Sequence, residues 1–317
     1  MLRLSDSWLR GLAVSASLGM FVVLVMGATV TNTGSAEGCG RSWPLCNGQF
    51  IPEFTVASAI EYSHRAVTGI ESVLLVALAA AMLVRWRAER EVRGLVALML
   101  GTLLLQAGLG AGAVLVPQSP FMLATHFGVS LIAFASTVLS AALVFERTGG
   151  LSNAVDRIAP RGLQVWVLGV GVYVLAVVYL GAYVRHAGVS LACTDWPLCR
   201  GQVVPSLDAA TAVVFAHRLA ALGAVLLLGW LVVLTRAAGI GQGLARASFG
   251  LSVLQALSGA MVVWTQLGLF STLAHAGLMA VLFAALALLT RRVVKATKRN
   301  EPVVDLHLLS EAKYSVS

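Results

Sequence analysis

The chain reads as an all-α polytopic membrane protein with eight transmembrane helices, arranged as two pseudo-symmetric four-helix bundles in a parallel tandem repeat. Three observations predict this. Of 317 residues, 58% are hydrophobic and 11% charged. Apolar runs long enough to cross the hydrocarbon core as helices recur along the chain. Several short motifs also return in the same order at nearly constant offset, the mark of an internal duplication. The formal charge of +8 would by itself suggest nucleic acid, but the basic residues sit in short clusters between apolar runs, as membrane topology requires. A nucleic-acid partner is therefore set aside in favour of the lipid bilayer.

The first span is expected at 9–31. Its run from Leu12 to Val30 is longer than a signal-peptide core and no small-residue cleavage site follows it. The second, 59–84, opens on Glu61-Tyr62-Ser63-His64-Arg65. The third, 94–116, carries Gln106 and the small residues Gly108, Gly110 and Gly112, which suit close helix packing. The fourth, 121–145, has His126 near its start, and the fifth, 163–184, ends on Gly181-Ala182. The sixth, 209–234, contains Phe215-Ala216-His217-Arg218. The seventh, 247–264, carries Gln255 and Gly259, and the eighth, 270–290, has His275 near its start. The domains expected are an N-terminal bundle over 1–146, a linker over 147–162, a C-terminal bundle over 163–292 and a tail over 293–317.

An even number of spans puts both termini on one side, and the basic residues say which. The N-terminal tail, the segments near 85–93, 146–162 and 236–246, and the C-terminal tail hold 17 of the 22 Lys and Arg residues. That side is cytoplasmic by the positive-inside rule. The expected setting is a multi-pass protein of a bacterial cell membrane with both termini inside.

Two longer loops, roughly 32–58 and 185–208, face outward and hold all four cysteines. Cys39 and Cys46 flank Gly-Arg-Ser-Trp-Pro-Leu, and Cys193 and Cys199 flank Thr-Asp-Trp-Pro-Leu. Four cysteines allow three pairings, which sequence does not resolve, local pairing being the simplest. The spacing matches neither a usual zinc site nor a Cys-x-x-Cys redox pair, and an oxidising exterior favours disulfides. A structural staple and a redox or cofactor-delivery role both remain open.

The loops anchor the repeat. Gly27-Ala28 and Gly181-Ala182 lie 154 apart, as do Cys39 and Cys193. Trp43-Pro44-Leu45-Cys46 and Trp196-Pro197-Leu198-Cys199 lie 153 apart, and so do His64-Arg65 and His217-Arg218. Gln106, Gly110 and His126 find Gln255, Gly259 and His275 at 149. Four spans per half make both halves enter from the same side.

The histidines open alternate spans, all running inward, so they share a depth roughly 5–10 Å below the outer boundary at 1.5 Å per residue. Alternate helices of an up-down bundle are diagonal. His64 can then face His126, and His217 can face His275. Two imidazoles opposed across a bundle suit the axial positions of a haem iron. His186, in an outer loop, and His307, in the polar tail, have no such place. Arg65 and Arg218 follow their histidines at the membrane edge and could meet haem propionates or snorkel to the interface.

The halves differ at one telling position. Glu61 maps onto Val214, so the acid belongs to the N-terminal half alone. An ionisable group within a span is usually functional, although a carboxylate at a helix start also complements the helix dipole. One half thus looks like a reaction site and the other like a resident cofactor site.

Taken together, Glu61-Tyr62-Ser63-His64-Arg65, the two Trp-Pro-Leu-Cys loops and the four histidines in eight spans resemble the haem A synthase family, in its bacterial form with paired cysteines in both loops. The resemblance runs from Gly27 to about Thr290. It implies oxidation of the C8 methyl of haem O to a formyl group through successive hydroxylations, for cytochrome oxidase. It also implies that His217 and His275 ligate a resident haem b, that His64 and His126 flank the substrate haem, and that Glu61 lies beside it as a proton acceptor or cation stabiliser. Electrons would leave through the haem b to a separate acceptor, and a haem O synthase is an expected partner. Two other classes compete: a non-catalytic dihaem cytochrome oxidising quinol, against which the unmatched Glu61 argues, and a haem transporter, for which the spans lack paired Pro or Gly-Pro breaks at the midplane.

Overall fold

The computed structural model describes residues 5–151 and 157–298. Arg3, Arg299, His307 and Lys313, which the topology count and the tail assignment used, lie outside the described residues. Among the described residues eight helices follow in order: α1 (Asp6–Asn32), α2 (Val56–Trp86), α3 (Arg90–Leu115), α4 (Pro120–Arg147), α5 (Arg161–His186), α6 (Ala209–Ala238), α7 (Gln242–Trp264) and α8 (Leu269–Lys298). All are long and apolar enough to cross a membrane.

Local chemistry sets the helix starts. Ser5 accepts from the Trp8 amide, Thr55 and Ser58 form a capping box, Pro120 sits in the first turn of α4 after Ser119, and Asp208 accepts from the Thr211 amide. Each cap satisfies amides that the first helical turn leaves unpaired. The helices run a few residues past most expected spans. α8 reaches Lys298 rather than 290, because its last turns are stabilised by ion pairs instead of lipid: Arg291 bonds both Glu146 and Glu91, and Lys295 also reaches Glu146.

Helix contacts form two closed rings. α1 touches α2 and α4, and α3 touches both as well; α5 touches α6 and α8, and α7 touches both. In each ring the first-named pair of partners, α2 with α4 and α6 with α8, stands diagonally. The rings meet through α4 with α5, α4 with α8, and α1 with α8. Exchanging α1–α4 for α5–α8 leaves this pattern of neighbours unchanged. A shared apolar core, including Leu131, Leu143, Val167, Val170, Leu286 and Leu289, fills the interior across the rings.

The loops after α1 and α5 lie at the end opposite α1's start and α8's finish. Each closes a disulfide, Cys39–Cys46 and Cys193–Cys199, with Cα atoms 4.4 and 4.6 Å apart, as local pairing anticipated. The two loops share a conformation in detail: cis Trp-Pro bonds at Trp43-Pro44 and Trp196-Pro197, positive φ at Asn47 and Arg200, and single bridges Cys46↔Gln49 and Cys199↔Gln202. Duplication in sequence is thus duplication in backbone.

Candidate functional site

His64 and His217 are the ninth residues of α2 and α6, and His126 and His275 the seventh of α4 and α8. All four therefore sit at one level, toward the disulfide loops, on the diagonal helices of each ring. In α2 and α6 this is the third helical turn, because Thr55 and Asp208 cap early. His64 lies within electrostatic range of His126, and His275 within range of His217. His186 proves to be the last residue of α5 rather than a loop residue, and it too lies within electrostatic range of His126. Beside it, Arg185 donates to Asn32 at 3.0 Å and ties α5 to α1.

A glycine on the preceding helix faces each ring. A Cβ at Gly27 would stand 3.3 Å from His64 Cε1, at Gly110 3.7 Å from His126 Cε1, at Gly181 2.6 Å from His217 Cε1, and at Gly259 3.3 Å from His275 Cε1. These are the glycines that recur at the repeat offsets. Absence of a side chain lets the Cε1 corner of each imidazole come close to its neighbour helix. Among the described residues, the buried Nδ1 atoms of His64 and His126 have no hydrogen-bond partner. His275 differs: its Nδ1 is 2.8 Å from Ser258 Oγ, and the Gln255 amide nitrogen lies 3.2 Å from both ring nitrogens.

The arginines after the histidines hold the loops. Arg65 donates through one guanidinium nitrogen to the carbonyls of Ser42 and Leu45, at 2.8 Å each; Arg218 does the same to Asp195 at 2.8 Å and Leu198 at 2.5 Å. The second nitrogen separates the halves. On Arg218 it donates to the Cys193 carbonyl, whereas on Arg65 it pairs with Glu61 at 2.5 Å. The other oxygen of Glu61 accepts the Cys39 amide at 2.8 Å. Glu61 is 4% exposed, and Val214 fills its place in the other half, equally buried. The acid is thus clamped between α2 and the disulfide loop, three residues from His64. The propionate and interface readings of these arginines did not foresee this loop-holding role, because it depends on where the loop folds back.

A second acid escaped sequence reading. Glu71 lies seven residues beyond His64 on the same face of α2, 3% exposed, with both oxygens lacking hydrogen-bond partners among the described residues. Its carboxylate lies against Gly19, where a Cβ would come within 2.0 Å of Oε2. Ala224 occupies the matching place in α6. The signal was available: an acid inside an apolar run, two turns below a singled-out histidine, again in the N-terminal half alone.

Imidazoles on diagonal helices, glycines that clear room beside all four of them, and the unpartnered ring nitrogens of His64 and His126 fit haem ligation. Residues 51–287, which include Glu61 and all four histidines, match the family model described as cytochrome oxidase assembly protein. The haem A synthase of Bacillus licheniformis is 41% identical over 88% of this chain and 93% of its own length. The chain belongs to the haem A synthase family. The haem A synthase of Geobacillus kaustophilus, 40% identical, aligns over 96% of this chain and 97% of its own, and that of Alkalihalophilus pseudofirmus, 38% identical, over 89% and 96%. Resemblance to the haem A synthases therefore extends through both rings.

Proposed function

We propose that this protein makes haem A by oxidising the C8 methyl of haem O to a formyl group, with haem O held in the N-terminal ring between His64 and His126 and a resident haem b held in the C-terminal ring by His217 and His275. The two rings are read as pseudo-symmetric halves of one duplicated bundle in a bacterial cell membrane, termini inside and disulfide loops outside. Disulfide-bonded loops at one end and basic segments at the other support that orientation.

The observation that carries the division of labour is Glu61 beside His64, where the other half has Val214. Oxidation at a methyl carbon needs a group to take up a proton or to offset developing positive charge. Two donors fix the Glu61 carboxylate, the Cys39 amide and Arg65. A preorganised charge of this kind needs no reorganisation during reaction, and an acid so placed can also accept a proton. Haem b, when bound, supplies one-electron transfer away from the N-terminal ring toward a separate acceptor. Arg65 and Arg218 have five N–H donors each, so the loop bonds leave donors for haem propionates. A haem O synthase in the same membrane would deliver the substrate.

The test is haem extraction from purified protein made in cells that supply haem O. Replacing His217 or His275 with Ala should remove the low-spin haem b spectrum. Replacing His64 or His126 should leave it and stop haem A formation. Loss of the same signal in all four variants would refute the division, and haem b without any haem A from the parent protein would leave a dihaem cytochrome.

A further inference from the structure

The duplication supplies an internal control for Glu71. On the face that α2 turns to α1, His64 lies against Gly27 and Glu71 against Gly19. The matching residues of the C-terminal half, at offsets of 154 on the first helix and 153 on the second, are His217 with Gly181 and Ala224 with Tyr173. The histidine and its glycine are kept, whereas the acid and its glycine are exchanged for an alanine and a tyrosine. Tyr173 is satisfied where it lies, because its hydroxyl donates to the Ala220 carbonyl at 3.1 Å. Glu71 is buried, and neither oxygen has a hydrogen-bond partner among the described residues. A buried acceptor left unpaired destabilises a fold, and an apolar side chain of similar size would remove that cost. A relay to Glu61 does not explain it, since Glu61 turns to the Cys39 amide and Arg65 at the loop.

The chemistry of the substrate offers a partner. Haem O has an isoprenoid chain, joined through a carbon that bears a hydroxyl, where haem b has a vinyl group. That substituent lies on the macrocycle edge opposite the propionates, whereas the C8 methyl lies beside one of them. With the propionates toward Arg65, C8 falls on the side of Glu61 and the hydroxyl on the inner side. Seven residues place Glu71 about 10 Å further in than His64 along α2, and helical side chains lean back toward the helix start, here toward the histidine.

We propose that Glu71 is a specificity residue of the N-terminal ring, its carboxyl accepting the hydroxyl of haem O that haem b lacks. The proposal rests on the reading that His64 and His126 hold haem O. A carboxyl accepts from a hydroxyl in either protonation state. A buried group that only a hydroxyl completes rejects the analogue without one. Ala224 leaves the C-terminal ring without such a group, as suits a haem with a vinyl at that place.

Competition between haematohaem and mesohaem tests this, because they carry hydroxyethyl and ethyl groups where haem b has vinyls and neither has the isoprenoid chain. Full-length protein made without haem O is given equal amounts of both and repurified, and mass analysis of the extract separates them from resident haem b. The ratio of haematohaem to mesohaem should be about tenfold higher in the parent than in E71A or E71M, the scale of one hydrogen bond to a buried group. E71Q, which keeps an acceptor, should retain the parent ratio. Equal ratios in the parent and the two apolar variants, an E71Q ratio as low as theirs, or resident haem b lost from both apolar variants would overturn the proposal. Undiminished uptake of both haems by H64A/H126A would instead show that the ring assignment is wrong, and the proposal would fall with it.

Discussion

Gly181→Ala is the sharpest test of how the helices hold the imidazoles. The new methyl would lie 2.6 Å from His217 Cε1 and 3.0 Å from Nε2. Carbon–carbon contacts settle near 3.5 Å, so the ring must retreat by about 1 Å. Alanine gains about 1 kcal/mol over glycine within a helix, while overpacking of this kind typically costs 1–3 kcal/mol. The net change is from about zero to about 2 kcal/mol destabilising, and it falls on a ring proposed to bind iron. Gly27→Ala is the matched control, because Gly27 and Gly181 each stand five residues before the end of their helices and share the same intrinsic gain. Its methyl meets His64 Cε1 at 3.3 Å and asks for a few tenths of an ångström. Gly110→Ala, at 3.7 Å, meets ordinary contact and should stabilise by up to about 1 kcal/mol. Thermal unfolding in detergent and the haem b to protein ratio measure both effects. The expected order of stability is Gly110→Ala above Gly27→Ala above Gly181→Ala, with haem b depleted in the last alone. Equal haem content and equal midpoints for Gly181→Ala and Gly27→Ala would refute the idea that the glycines set ring position.

Glu61→Gln keeps an acceptor for the Cys39 amide but removes the charge paired with Arg65; haem b should be retained while conversion of haem O falls roughly 10²-fold or more. Full haem A yield at normal expression would reduce Glu61 to a loop clamp. Arg291→Ala leaves Glu91 and Glu146 facing Lys295 alone at the seam between rings. With side chains 11–28% exposed, a loss of about 1–3 kcal/mol is expected, below the 3–5 of a fully buried pair, and denaturant or thermal unfolding would read it. In the second loop, the amides of Gly201 and then Arg200 hold the Asp195 carboxyl below the usual aspartate range. A depressed folded pKa contributes stability above the unfolded value of about 3.9, and that contribution is lost as pH falls through the lower folded value. Limited proteolysis at residues 193–208 should therefore rise only in strong acid, and Asp195→Asn should show the raised rate at neutral pH; an unchanged rate in that variant would discount the bonds.

Much of this protein is one-dimensional, and there sequence reading succeeded. Span length and apolarity are local properties, so eight helices could be located within a few residues apart from α8, whose end is set by Arg291 and Lys295 finding acids on α3 and α4. Repeat offsets survive in any register of letters, so the paired loops, the four histidines and the asymmetry of Glu61 and Val214 are legible in the sequence alone. Local disulfide pairing could be favoured, though not chosen, since seven and six residues separate the cysteines.

What only the tertiary structure decided depends on helix rotation and on which chain segments return to one another. Arg65 holding the loop carbonyls, Glu61 clamped by the Cys39 amide, and each glycine lying under a histidine ring join residues 16 to 37 positions apart on different elements. No periodicity encodes those meetings. Glu71 could be read as an acid in an apolar run, but not as one packed against Gly19 with neither oxygen bonded among the described residues. The difference between His126 and His275 is subtler still: Leu109 and Ser258, which match at the 149 offset, are unremarkable letters until α7 is seen to bring a hydroxyl within 2.8 Å of one imidazole. A sequence specifies which side chains can bond, while the packing of helices against one another selects which of them do.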